Sequence, residues 1–214
     1  MKTADIKVEL LDYMGSDLTV ANVARVSFDK KSEELSGKDV GLINYLATHD
    51  HWSPFAHCFA QFRIKAPIFV ARQLVKHQVG LSWNEVSRRY VDSEPEFYVP
   101  KELHSRADNV KQGSGEVLED SRLFLFDVRN ISVDALHIYR TLLREGVAPE
   151  EARMVLPLNT MTEWVWSGSL MAFARVCRQR LDPHAQRACR EVAAYLHEEL
   201  SLLFPESMNA LLDN

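Results

Sequence analysis

Two hydrophobic periods divide the chain. Ile6, Val8 and Leu10 alternate with charged residues, the period of a strand with one buried face. Cys58, Ala60, Phe62 and Ile64 repeat the alternation against Phe59, Gln61, Arg63 and Lys65. Residues 96–99 and the Thr- and aromatic-rich 160–166 are strand-like too. Elsewhere the spacing is helical. Ser16-Asp17 caps a short helix carrying Val20, Ala21, Val23 and Ala24. Val40, Ile43, Leu46 and Ala47 predict a helix over 38–48. Ser53-Pro54 is a cap and first turn, and Pro67 opens a helix running to about residue 77, with Gly80 ending it. From Ser82 the helical period is lost, and 82–90 is expected as a loop that orders with a ligand. A long helix is predicted over 116–145, its apolar face formed by Leu118, Phe124, Val128, Ile131, Leu136, Tyr139, Leu142 and Leu143, with Gly146 as its stop. Pro149 starts a short helix that Pro157 closes. Ser169 caps a helix to residue 181, and Asp182-Pro183 starts the last one, striped by Ala185, Cys189, Val192, Leu196 and Leu200. Residues 30–37 and 101–115 are polar and read as loops.

These elements do not alternate as regular βαβ units, and there is no internal repeat. The expectation is a single α+β domain over 1–214, with a central, mainly antiparallel sheet flanked by helices and a long helix in the second half. Its 214 residues suffice for a sizeable core.

Charge narrows the function. Lys and Arg number 25 against 30 Asp and Glu, a net charge of −5, which disfavours the broad phosphate neutralisation of a nucleic-acid binder. A small phosphorylated ligand needs only a local basic pocket. No apolar run is long enough to span a membrane, and the N-terminus lacks the apolar core of a signal peptide. Cys58, Cys177 and Cys189 are odd in number and widely spaced, which suits reduced packing thiols and a cytoplasmic location. The two standard glycine-rich phosphate loops are absent.

Against that acidic balance, residues 72–90 read RQLVKHQVGLSWNEVSRRY. Arg72, Lys76, His77, Arg88 and Arg89 surround one carboxylate, Glu85. The apolar 66–71 before them predicts a buried helix, in which cations need partners. Glu85 would supply one, and an anionic ligand the rest. Ser87-Arg88-Arg89 suits a phosphate, since the planar guanidinium offers paired donors. A second cluster, Arg175, Arg178 and Arg180, lies near the end of its helix, where complementing the helix dipole is the simpler role. His49, His51, His57 and His184 match no metal-binding spacing.

The chain resembles the flavin-dependent thymidylate synthases. That signature is Arg-His-Arg, then Asn-Glu, Ser and Arg-Tyr; here it reads Lys76-His77-Gln78, Asn84-Glu85, Ser87 and Arg89-Tyr90. ARVSFD at 24–29, HWSPFAH at 51–57, KAPIFVARQ at 65–73, EFYVP at 96–100, ARMVLPLN at 152–159 and RLDPHAQ at 180–186 match in the same order. The resemblance implies reductive methylation of dUMP to dTMP by a homotetramer with FAD at subunit interfaces, with 5,10-methylenetetrahydrofolate as carbon donor and NADPH as hydride source. It implies a dUMP pocket of Gln73, Leu74, Val75, Lys76, Glu85, Val86, Ser87, Arg88, Arg89 and Arg153, with Ser87 and Arg89 on the phosphate. Arg180 would face the uracil as the catalytic charge. It implies FAD contacts from Ser53, Lys76, His77, Gln78, Glu85, Ser169, Leu170, Met171 and Arg175, with His51 a flavin neighbour. Lys76 and Gln78 depart from the paired arginines of the signature, which leaves a catalytically impaired flavin- or nucleotide-binding homologue as the alternative. No cysteine follows a proline, in keeping with a route that uses no thiol nucleophile.

Overall fold

The computed structural model describes residues 1–107 and 113–212. The chain opens with β1 (Lys2–Thr3) and β2 (Lys7–Met14). Ser16 starts α1 (Asp17–Arg25) through a capping box with Thr19, and Ser36 starts α2 (Gly37–Thr48) through one with Asp39. A tight turn at Pro54–His57 leads into β3 (Phe59–Pro67), α3 (Ile68–Leu74), β4 (Leu81–Glu85) and β5 (Glu96–Phe97). A hairpin of β6 (His104–Arg106) and β7 (Ser114–Val117) precedes the long α4 (Ser121–Arg144) and α5 (Pro149–Ala152). The chain continues through β8 (Met161–Ser169), α6 (Leu170–Arg180), α7 (Arg187–Leu203) and α8 (Pro205–Leu212).

The central sheet runs β2-β3-β8-β4, every pair antiparallel. Its register sets Phe62 opposite Trp166 and Ile64 opposite Trp164, so the alternation read from 58–65 puts large side chains together on one face. Phe173 of α6 closes that face edge-on, 5.2 Å from the Phe62 ring and 5.5 Å from that of Trp166. The α7 stripe completes the core with Cys189, Val192, Leu196 and Leu200, all fully buried. The three cysteines are free and buried, as packing residues. The α+β class and the mainly antiparallel sheet flanked by helices are therefore as expected.

Several boundaries differ for identifiable reasons. The helix expected over 67–77 ends at Leu74, with Pro67 as its N-cap, so Lys76 and His77 sit on the following turn rather than on a helix face. Arg72 is exposed rather than buried. Residues 81–85 form a strand, because the edge of β8 offers them a ladder that periodicity alone does not reveal. Gly80 makes the turn into it at φ 75°; a Cβ there would lie 3.1 Å from the Ala172 Cβ. Within 101–115 the hairpin replaces part of the expected loop, and 108–112 lie outside the described residues. The hairpin also takes the first residues assigned to the long helix, so Leu118 falls before it. On that helix Leu125, Leu136 and Tyr139 are buried, whereas Phe124 and Ile131 are exposed. The last long helix starts at Arg187, not at Asp182-Pro183: Asp182 accepts the His184 backbone N–H at 2.7 Å and makes a turn instead. Pro205 starts α8, which the expectation omits.

Candidate active site

Arg180, the last residue of α6, reaches the turn after α3, where its Nε donates to Nε2 of His77 at 2.9 Å. To accept, that nitrogen must carry no proton, so the ring is neutral with its hydrogen on Nδ1. Burial, and secondarily the Arg180 charge, lower the His77 pKa from its ordinary 6.5, which favours the same state. The guanidinium is thus anchored through one nitrogen while its two terminal nitrogens remain available. Gln73 on α3 is fixed from α7: its Nε2 donates to Gln186 Oε1 at 2.5 Å, and its Oε1 accepts from the Cys189 thiol at 3.1 Å. Arg180, Gln73, Gln186 and His184 line one cleft of about 1180 Å³ with Phe69 and Tyr98.

A separate depression of about 140 Å³ gathers Glu85, Val86, Arg88 and Arg153. Glu85 is not the counter-charge expected of it. Facing Trp83 and Thr162 along the strand edge, it accepts the Thr162 hydroxyl at 2.7 Å and the Trp83 indole N–H at 3.2 Å. Arg88 donates to the Ser93 carbonyl at 2.9 Å, and Arg153 to the Glu150 carbonyl at 3.2 Å. Arg89 donates to Ser87 Oγ at 3.3 Å and stacks its guanidinium 4.9 Å from the Tyr90 ring centre. Among the described residues none of Arg72, Lys76, Arg88, Arg89, Arg153, Arg175 and Arg180 pairs with a carboxylate. The excess positive charge read from 72–90 is therefore real, and larger than Glu85 allowed.

The two depressions share no lining residue, so one chain divides the residues expected around dUMP. Leu74 is fully buried in the core, Val75 half-buried. Of the residues expected at FAD, Ser53, Lys76, Gln78, Glu85 and Arg175 are exposed, as is His51. Ser169 is spent on its helix, its hydroxyl accepting the Ala172 N–H at 3.3 Å. Leu170 has no exposed surface and Met171 has 7%. Among the described residues Arg72, Lys76 and Arg175 are exposed and without a carboxylate partner, a donor set of the kind a dinucleotide's pyrophosphate needs. Gln186 lines the cleft and Cys189, fully buried behind it, reaches Gln73; neither is among the expected site residues. The only signal for Gln186 was its place in the HAQ stretch, and Cys189 read as core. Among the described residues no cluster of His, Cys, Asp and Glu could hold a metal ion, and no helix is long and apolar enough to cross a membrane.

Fold and site define a class: an α+β protein whose clefts carry arginines without carboxylate partners, suited to small phosphorylated ligands. Comparison with known proteins makes it specific. The family model described as thymidylate synthase complementing protein matches residues 9–206, and the chain belongs to that family. A flavin-dependent thymidylate synthase of Thermus thermophilus is 41% identical over 192 residues, covering 89% of this chain and 70% of that one. One from Wolbachia pipientis is 36% identical over 210 residues, 96% of this chain and 73% of the relative. The crystal structure of the UMP/dUMP methylase PolB from Streptomyces cacaoi bound with 5-Br dUMP superposes with a TM-score of 0.90 at 30% identity, covering 100% of this chain and 97% of that one. The same enzyme bound with 5-Br UMP gives a TM-score of 0.88 at 31% identity.

Proposed function

We propose that this chain is a flavin-dependent thymidylate synthase that methylates dUMP reductively to dTMP, taking the methylene from 5,10-methylenetetrahydrofolate and reducing equivalents from NADPH. The observation that carries the assignment of roles is the Arg180–His77 contact. It fixes a permanent positive charge on the cleft wall with two terminal NH2 groups left to address a uracil edge. Such a charge favours the N3-deprotonated ring and so raises electron density at C5, the carbon to be methylated. Gln73 holds the base in plane. Ser87, Arg88, Arg89 and Arg153 take the phosphate. Bound FAD would supply the hydride relay; the exposed Ser53, Lys76, Gln78, Glu85 and Arg175, with His77, would hold it, Lys76 offering the pyrophosphate a point charge rather than a fork, whereas the burial of 169–171 leaves that segment to the core.

The division of the dUMP residues between two depressions favours a site completed by association of copies, in a homotetramer with FAD where subunits meet. On α4, Leu123, Phe126 and Ile131 are 62–66% exposed, apolar area suited to a subunit contact. Buried free thiols suit a reducing, cytoplasmic setting. The test is release of the C5 hydrogen of dUMP, dependent on both methylenetetrahydrofolate and NADPH; binding of flavin and dUMP without release would instead leave the impaired homologue. A second activity, on UMP, is favoured by the likeness to PolB with 5-Br UMP bound, and UMP offered in the same assay tests it.

A further inference from the structure

We infer that Gln186 and Cys189 are positioning residues that set the orientation of the Gln73 carboxamide and thereby make the cleft select a uracil over a cytosine nucleotide. The inference rests on the dUMP assignment above and adds two residues to it. Gln73 is a neutral hydrogen-bonding group that shares the cleft with Arg180. A carboxamide can present either end to a base, and the two ends read opposite edges. Here both ends are engaged from one helix. Gln186, the N-cap residue of α7, turns its Oε1 to the Gln73 Nε2 at 2.5 Å, and Cys189, three residues on, points its thiol at the Gln73 Oε1 at 3.1 Å. Cys189 is fully buried, and burial pushes its pKa up to about 11, so it stays a protonated donor. A thiol donor on one side and a carbonyl acceptor on the other fix which end of Gln73 is oxygen.

The consequence is chemical. Gln73 turns its oxygen toward the buried Cys189 and gives one N–H to Gln186, which leaves its second N–H as a donor. A uracil carbonyl accepts it. Cytosine carries an amino group at C4 in place of a carbonyl, so that edge would set donor against donor. The HAQ stretch at 184–186 therefore acts through Gln73 rather than on substrate directly. His184, on the same stretch, bonds Asp182 at 2.9 Å and belongs to the turn.

The test measures dissociation constants for dUMP and dCMP by calorimetry on the intact flavin-loaded protein. Wild type binds dUMP more tightly; failure of wild type to bind dUMP would sink the functional assignment rather than this one. Gln186→Leu removes the acceptor and should narrow the dUMP-to-dCMP preference about tenfold, the scale of one misplaced hydrogen bond. Gln186→Glu keeps an acceptor facing Gln73 and should retain the preference, its added charge acting on both nucleotides alike. Cys189→Ala should narrow the ratio in the same direction and Cys189→Ser restore it, which covers the case of Gln186→Leu failing to fold. A merely structural role would lower Tm and leave the ratio untouched. That result, or loss of the preference in Gln186→Glu as large as in Gln186→Leu, overturns the proposal.

Discussion

Two side chains carry the sharpest expectations. Arg180 has a fixed charge and, among the described residues, a single hydrogen-bonded anchor, His77. Replacing it by Ala should abolish dTMP formation while leaving bound flavin largely in place, read as turnover against flavin absorbance. Ser87 holds Arg89, the other residue proposed to take the phosphate; Ser87→Ala should weaken dUMP binding by about 1.5–3 kcal/mol, a hydrogen bond to a charged group. His77 supplies a pH signature. Its folded pKa lies below 6.5, so as pH falls the unfolded chain takes up the proton first and stability drops below pH 6.5, until the folded ring protonates as well. Urea midpoints measured above and below pH 6.5 should show the drop, and His77→Gln should remove that part of it. At this scale the sequence named Arg180, Gln73 and the Ser87-Arg89 pair through motif resemblance. It could not have named Gln186 and Cys189, because their role exists only where α7 crosses α3.

Elements were read well where burial follows a local period and poorly where a neighbour decides. The alternation over 58–65 predicted β3 because one face of the strand is core. Nothing local announced β4, whose only reason to be a strand is the free edge of β8. The segment 30–37 looked like a solvated loop, and its residues are indeed half-buried or exposed, yet it is tied down from beneath. Asp39 is fully buried and accepts from Arg25 at 2.6 Å, Ser32 at 2.9 Å and the Ser36 N–H at 2.9 Å. Asp39→Ala would strip these donors of their partner and should cost about 3–5 kcal/mol of unfolding free energy, as removal of one member of a buried ion pair does. Chemical denaturation checks it, and an effect below about 1 kcal/mol would demote the network to a surface interaction.

For the molecule as a whole, the open question in the chain itself is where its positive charge goes. Arginines without carboxylate partners line two depressions that share no residue, and α4 presents Phe126 and Ile131 to solvent. The proposed association of copies would answer both observations. If the cofactor site is shared as proposed, Phe126→Asp together with Ile131→Asp should lower the assembly state in sedimentation and lower flavin retention with it. An unchanged assembly would move the contact to another face. The account stands most directly on one assay: tritium release from C5-labelled dUMP by the purified protein, with methylenetetrahydrofolate and NADPH added or omitted. It predicts release that needs both co-substrates and disappears in Arg180→Ala. Release that survives in Arg180→Ala, or no release from a protein that binds flavin and dUMP, would contradict it.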